Sequence, residues 1–276
     1  MKSENNNIEI SVIMGVFNQK NRDILVQAVD SILSQTYEDF EFLIYDDGSC
    51  KEEALFLKSL EKKDQRIKVF REEENNGLAY ALNQCIRRAQ GKYIARMDAD
   101  DLSKPERLRN QKEFLDKNTG VAFVGLSAEL FDETGVWGYR KMEEKPREKE
   151  FLRFSPFIHP SVMFRKEVLL NANGYNSSKD TLRCEDYELF MRLYCMGYQG
   201  YNMNGNFFSY RENREWYDKR NIKQRIAEMK IRYRGFKKMG ILKFNTFVYV
   251  IKPVIMLFVP KRARMYIRNR NINYTE

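Results

Sequence analysis

Three short acidic runs in this chain carry residue types able to do chemistry: Asp46-Asp47-Gly48-Ser49, Asp98-Ala99-Asp100-Asp101 and Glu185-Asp186. Acids in loops are mostly solvated turn formers, and one Asp-Gly turn means little by itself. The second run says more. It crowds Asp98, Asp100 and Asp101 together, and like charges that close raise one another's pKa unless a cation neutralises them. The donors are all oxygens and no Cys or His lies nearby, so the expected ion is hard, Mn2+ or Mg2+. Such an ion keeps open positions for substrate phosphates. It would neutralise charge that builds on a departing diphosphate. Neither a G-x-x-x-x-G-K-[ST] loop nor a G-x-G-x-x-G run occurs, which disfavours an NTPase or a dinucleotide oxidoreductase.

The acids must be positioned by regular elements, and the first hundred residues alternate cleanly. Apolar, β-branched runs at 8–16, 40–45, 67–70 and 93–97 read as strands. Between them, 23–35, 52–62 and 78–89 carry helical spacing. This rhythm implies βαβ units: an α/β fold with a mainly parallel, Rossmann-like sheet and helices on both faces. In such sheets ligands bind beyond the carboxyl ends of the strands, where the first two acidic runs fall. After Asp101 the rhythm changes. A helix is expected from Pro105, a strand over 121–131, a charged irregular stretch over 137–154, and a short strand over 161–164. A helix over 187–194 and a strand within 198–210 follow.

Composition adds a division of charge. The chain has 276 residues, enough for a full core, and 43% hydrophobic with 32% charged residues fits a folded protein. The net charge of +9 is uneven. Residues 211–276 hold 18 Lys or Arg against 5 Asp or Glu, so the body before them is mildly acidic. The tail reads as a basic helical stretch over 212–239, an apolar helix over 244–259 interrupted by Lys252 and Pro253, and a cationic run from Lys261. The apolar stretch is shorter than the ~20 residues that span a bilayer. An apolar helix flanked by cations suits an anionic membrane surface; docking on the domain or on a second copy as a homodimer is the other reading. Cys50, Cys85, Cys184 and Cys195 form no C-x-x-C pair, so a reducing, cytoplasmic location without disulfides or zinc is expected. No secretory leader is expected either, since residues 1–7 are polar.

With these residues in view, the chain resembles glycosyltransferase family 2, inverting enzymes with a GT-A fold that use nucleotide sugars. The matching runs are Ser11-Val12-Ile13-Met14-Gly15-Val16-Phe17-Asn18, Asp46-Asp47-Gly48-Ser49, Asn76-Gly77-Leu78-Ala79, Ala95-Arg96-Met97-Asp98-Ala99-Asp100-Asp101, Arg107-Leu108 with Gln111, and Cys184-Glu185-Asp186-Tyr187-Glu188-Leu189. They keep the family's order from about residue 8 to 210. Gly15 and Phe17 depart from it, where the family commonly has Pro and Tyr. The resemblance implies that Val16, Phe17 and Asn18 line the nucleotide base and that Asp46, beside Asp47, reads the base edge. Asn76 and Gly77 would wall the base and ribose pocket. Asp98 would sit near ribose and sugar and share with Asp100, the direct ligand of a DXD-type motif, in holding manganese or magnesium. Asp186 would be the general base, with Glu185 as its fallback. The only histidine, His159, lies in Ile158-His159-Pro160-Ser161, a run the family places near diphosphate or acceptor. Arg96, Arg107 and Gln111 could touch sugar or diphosphate, with structural hydrogen bonding favoured for the group. Trp137 and Trp216 could stack a sugar but fit packing better.

The implied activity is a metal-dependent hexosyltransferase, with a UDP-sugar as donor. Its acceptor would be a glycan or lipid-linked hydroxyl in bacterial capsule or O-antigen polysaccharide assembly. The enzyme would be peripheral on the cytoplasmic face of the membrane, and nucleic acid is not an expected partner. A GT-A domain is expected over 1–210, divided into a nucleotide-binding half of about 8–101 and an acceptor half of about 102–210. A C-terminal extension over 211–276 completes it. The rivals are a sugar nucleotidyltransferase, a non-catalytic nucleotide-sugar-binding scaffold, and a glycosidase with paired carboxylates. The first would need a Gly- and Lys/Arg-rich loop after the first strand, and Asn18-Gln19-Lys20-Asn21 is poor in glycine.

Overall fold

The computed structural model describes residues 8–181, 183–214, 220–269 and 272–274. Its first elements are β1 (Ile10–Val16), α1 (Arg22–Leu33), β2 (Phe40–Asp47), α2 (Lys51–Ser59), β3 (Ile67–Glu72), α3 (Leu78–Arg88) and β4 (Tyr93–Arg96). Then come β5 (Leu102–Ser103), α4 (Arg107–Lys117), β6 (Phe123–Leu126), β7 (Ala128–Asp132), β8 (Gly135–Arg140), β9 (Met163–Arg165), α5 (Lys166–Asn171) and α6 (Glu185–Cys195). The last are β10 (Gly200–Met203), β11 (Phe208–Arg211), α7 (Ile222–Lys238), α8 (Phe247–Ile255), α9 (Lys261–Asn269) and β12 (Ile272–Tyr274).

A seven-stranded sheet runs in the order β10-β6-β9-β4-β1-β2-β3 and is parallel except at β9. Both faces are covered, which is why its strands are apolar almost without interruption. Along β1, Ile10, Val12, Met14 and Val16 face a core shared with α1, α2 and α4, while Ile13 faces the core of α3, α5 and α6. The helices that close these faces are started by local chemistry. Asn21 caps α1 through its side-chain oxygen, and Gly77, at φ 90°, turns the chain into α3. α3 sits close against β1 at Gly15, where a Cβ would lie 3.0 Å from Leu78 Cδ1 and 3.1 Å from Ala81 Cβ.

A five-stranded sheet, β12-β8-β7-β11-β5, lies beside the first, and it accounts for where the sequence reading fails. The single strand expected over 121–131 is two strands in two sheets, β6 and β7. They part at the buried Ser127, whose Oγ accepts the Met142 N–H at 3.0 Å. The strand expected over 198–210 divides in the same way into β10 and β11. The stretch expected to be irregular contains most of β8. Trp137 is buried there, with its indole N–H on the Glu212 carbonyl at 2.8 Å, so it packs and stacks no sugar. Pro105 precedes α4 in a turn rather than opening it, and its carbonyl accepts the Thr36 N–H.

The C-terminal segment is joined to the body. Gly235 of α7 lies so near α6 that a Cβ would stand 2.4 Å from Met191 Sδ. Ile231, Phe236 and Val250 belong to the same core as α6. Pro253 does not break α8. A proline in a helix leaves the carbonyl four residues back unpaired. Here that carbonyl, of Tyr249, accepts from Arg232 Nη1 at 3.4 Å, and the Pro253 carbonyl accepts from Arg225 Nη1 at 3.1 Å. Beyond α9, β12 returns to pair with β8, an element without a clear sequence signal.

Candidate active site

The carboxyl ends of β2, β1 and β4 stand side by side, because Val16 pairs with Asp46 and Ile13 with Arg96 in parallel register. Each end turns out into a loop that carries one acidic run or its partner. The first corner is a set of loops held by carboxylates. Asp46 is buried, accepts the Ser49 N–H at 2.9 Å and pairs with Arg71, which also donates to the Ser49 carbonyl. Asn18 adopts φ 45°, donates its N–H to Ser49 Oγ and accepts the Cys50 N–H at 2.8 Å. Asp47 accepts the N–H groups of Asn76 at 3.0 Å and Gly77 at 2.6 Å. Burial raises its pKa, and those two amides oppose the rise. Gly48 at φ 80° lets the 73–75 backbone pass where a Cβ would meet Asn75 N at 2.7 Å.

The structure therefore brings Asn18, Asp46, Asp47, Asn76 and Gly77 to one corner, and Phe17, next to Asn18 in the chain, is half exposed. Val16 is not at the surface; its side chain is in the core. Both oxygens of Asp46 are engaged by Arg71 and the loop.

The second corner follows β4. Asp98, Asp100 and Asp101 each offer a carboxylate oxygen within 4.8 Å of one another. Asp101 is buried. One of its oxygens accepts the Arg211 N–H at 2.8 Å, and the other has no hydrogen-bond partner among the described residues. Burial, then the neighbouring Asp98, push Asp100 up to about 6, and burial lifts Asp101 well above the carboxylate range. A crowded, all-oxygen donor set with an orphaned buried oxygen fits a hard divalent ion. Asp101 was not among the expected ligands. Its role in fastening β11 is a tertiary contact, invisible in the run itself.

Folding therefore raises the Asp100 pKa above its unfolded value. Between about pH 4 and 6 the folded state holds a proton that the unfolded chain has released, so stability falls as pH rises through that window. Without divalent ions the melting temperature should decline from pH 5 to 7, and added Mn2+ should reverse the decline at pH 7. Melting curves across pH with and without Mn2+ check this; parallel curves would separate the cluster from metal.

Arg96 joins the second corner to a third. Its guanidinium is buried, pairs with Asp98 at 2.6 Å, and leaves Nε without a hydrogen-bond partner among the described residues. Burial disfavours the cation, but Asp98, Tyr175 and Asp101 together outweigh that and its pKa is raised. The same charge acts on His159, Tyr175, Glu185 and Asp186. His159 is buried, with Nε2 2.7 Å from the Tyr175 hydroxyl, and burial holds its pKa well below the usual value, so it is neutral. Tyr175, absent from the sequence reading, is fixed by Asn83, which bonds both its N–H and its carbonyl at 2.8 Å. The signal available was Asn173-Gly174, a turn with two left-handed residues.

Glu185 and Asp186 occupy the first turn of α6 and are half-buried. Burial raises both pKa values. Asp186 adds to the rise at Glu185, while the Tyr187 amide and the cations Arg220 and Arg96 oppose it at Asp186. Arg107 and Gln111 are structural, as favoured. Arg107 is fully buried, brought down to about 9 by burial, and donates to Gln111, Ser103 and the carbonyls of Arg96 and Pro160. It holds the strand end that carries Asp98. Trp216 lies outside the described residues.

Three comparisons bear on the family and fold of this chain. A family model described as glycosyl transferase family 2 matches residues 11–171. The chain is 33% identical over 274 residues to the putative glycosyltransferase EpsE of Bacillus subtilis, covering 99% of this chain and 98% of that protein. It is 27% identical to the Escherichia coli UDP-Gal:alpha-D-GlcNAc-diphosphoundecaprenol beta-1,3-galactosyltransferase, covering 96% of each. Among solved structures, S. aureus TarS 1–349 in complex with UDP superposes with a TM-score of 0.65 at 16% identity, covering 94% of this chain and 74% of that one, a likeness of GT-A fold.

Proposed function

The chain belongs to glycosyl transferase family 2, and from that premise we propose an inverting, metal-dependent hexosyl transfer from a UDP-sugar to a hydroxyl of a lipid-linked glycan. The observation that carries this reading is the cluster of Asp98, Asp100 and Asp101 after β4, with the buried Arg96 guanidinium beside it. Asp98 is paired with Arg96, and Glu185 and Asp186 feel the same guanidinium. The cluster suits a departing diphosphate; Glu185 and Asp186 suit an attacking hydroxyl.

Asp98 and Asp100, with Asp101 behind them, would hold Mn2+ or Mg2+. The ion supplies positive charge against the leaving diphosphate when it is bound. The base pocket lies between Phe17 and the Asn76-Gly77 turn, in a corner whose shape Asp46, Asp47 and Asn18 maintain. Asp186 takes the proton of the acceptor hydroxyl as the new bond forms, which a group with so high a pKa needs in order to attack. Glu185 stands beside it as the alternative base. Neutral His159 and the Tyr175 hydroxyl, hydrogen-bonded to each other, both feel the charge of Arg96. One displacement from the face opposite the diphosphate inverts the anomeric carbon.

The relative that acts on a diphosphoundecaprenol-linked sugar supports a lipid-linked acceptor. With it go a place in bacterial surface-polysaccharide assembly and a peripheral position on the cytoplasmic membrane face. We assign residues 1–210 to the GT-A unit and 211–276 to the extension.

The test is a panel of UDP- and GDP-sugars offered to the full chain with and without Mn2+. A UDP-sugar at a hundredfold over its Kd should raise the melting temperature by roughly 5 to 10 °C, in the presence of metal only. Its transfer product should carry the inverted anomer. No shift with any sugar nucleotide, or retention in the product, would overturn the reading.

A further inference from the structure

The segment from residue 220 to 269 has 14 Lys or Arg and a single acidic residue, Glu228. The structure removes that one acid from the surface. Glu228 is buried, with its carboxylate paired to Arg220 at 2.6 Å and to Arg232 at 2.9 Å. The described exterior of this segment therefore presents cations and no carboxylate. It also presents large apolar side chains. Phe244 is fully exposed, and Phe258 and Tyr266 are 83% and 74% exposed. On α7, Ile222, Ile226 and Tyr233 recur at helical spacing and are exposed as well.

The opposite face of α7 is fully committed. Arg225 and Arg232 tie it to α8, Gly235 admits Met191 of α6, and the Arg232 guanidinium lies 5.0 Å from the ring of Tyr187, the residue after Asp186. One helix thus has the candidate base's helix on its inner side and an apolar, cationic surface on its outer side. Isolated exposed apolar residues need no explanation, but aromatic and aliphatic side chains set among an excess of cations fit a particular partner. Rings enter the interfacial layer of a bilayer while Lys and Arg meet anionic headgroups. Among the described residues no helix is long and apolar enough to cross a membrane.

We propose that the outer face of the α7–α9 segment docks on an anionic lipid bilayer, holding α6 and its acidic pair about one helix diameter from the headgroups. The inference deepens the proposed function and rests on it for the place of the acceptor. Docking itself is measured without donor or acceptor, so the two ideas fail separately. The full chain is sedimented with vesicles of phosphatidylcholine alone or mixed with phosphatidylglycerol, at low and high salt. Binding is expected to the mixed vesicles only, and to weaken as salt rises. Phe258→Glu and Tyr266→Glu should each lower the partition coefficient about tenfold with unchanged melting temperature. Lys243→Glu with Arg262→Glu should do the same without altering an apolar side chain. Wild type left in the supernatant, or bound equally to both vesicles, overturns the proposal. Two further results do the same: salt-dependent binding to duplex DNA in place of vesicles, and a dimer in solution that Phe258→Glu dissociates.

Discussion

Asp186→Asn should lower sugar transfer by about a thousandfold, while the melting-temperature shift given by the nucleotide sugar with Mn2+ stays as in wild type. The substitution preserves shape and can still accept the Tyr187 amide at the head of α6, so the helix start is little disturbed. What it removes is a site for the acceptor proton. An acid present only to complement the helix dipole would behave otherwise, because its loss costs about 1 kcal/mol of stability or less and leaves turnover alone. Measured transfer near the wild-type rate would reassign the base, and Glu185→Gln then becomes the informative variant. Burial raises the pKa of both acids, and nearby cations oppose the rise, Arg220 and Arg96 at Asp186 and Arg96 at Glu185.

Asp100→Ala has two expected effects of opposite sign. Transfer in Mn2+ should fall by about a hundredfold to a thousandfold, the scale of losing electrostatic support for a developing charge. The metal-free protein, in contrast, should melt at a higher temperature at pH 7. There the Asp100 carboxylate, pushed up to about 6 by burial and by Asp98, is ionised against its surroundings. A residue kept for structure would lose stability when truncated, so the pair of measurements separates the two roles. Unchanged transfer together with lowered stability would remove Asp100 from the metal site.

Much of the site's location is legible in residue types and their spacing. The alternation of apolar β-branched runs with helical spacing up to Asp101 requires parallel strands, and parallel strands place their carboxyl ends on one side. Asp46, Asp47 and Asp98 then have to share an edge, whatever the details. The side-chain partners are a different matter. Asp46 meets Arg71 only because β2 and β3 pair in that register, and Asp47 reaches Asn76 and Gly77 across a turn. Tyr175 stands against His159 through the grip of Asn83 on α3, a contact between residues 92 positions apart. The second half of the chain is harder to read. β6 and β7 are continuous in sequence pattern, and only the positions of two sheets decide that the chain changes sheet at Ser127.

By itself, then, the sequence determined the periodicity, the order of the acidic runs, their all-oxygen chemistry and the basic character of the last quarter, because these depend on residue type and near neighbours. Tertiary structure alone decided which acids stay available. It bound the buried Asp101 to the Arg211 backbone, engaged Asp46 and Asp47 in loops, paired the buried Arg96 with Asp98, and turned Glu228 inward between Arg220 and Arg232, so that the described exterior of residues 220–269 is cationic. The reason is that burial and pairing are set by distances between residues far apart in the chain, and a list of residue types carries no such distances.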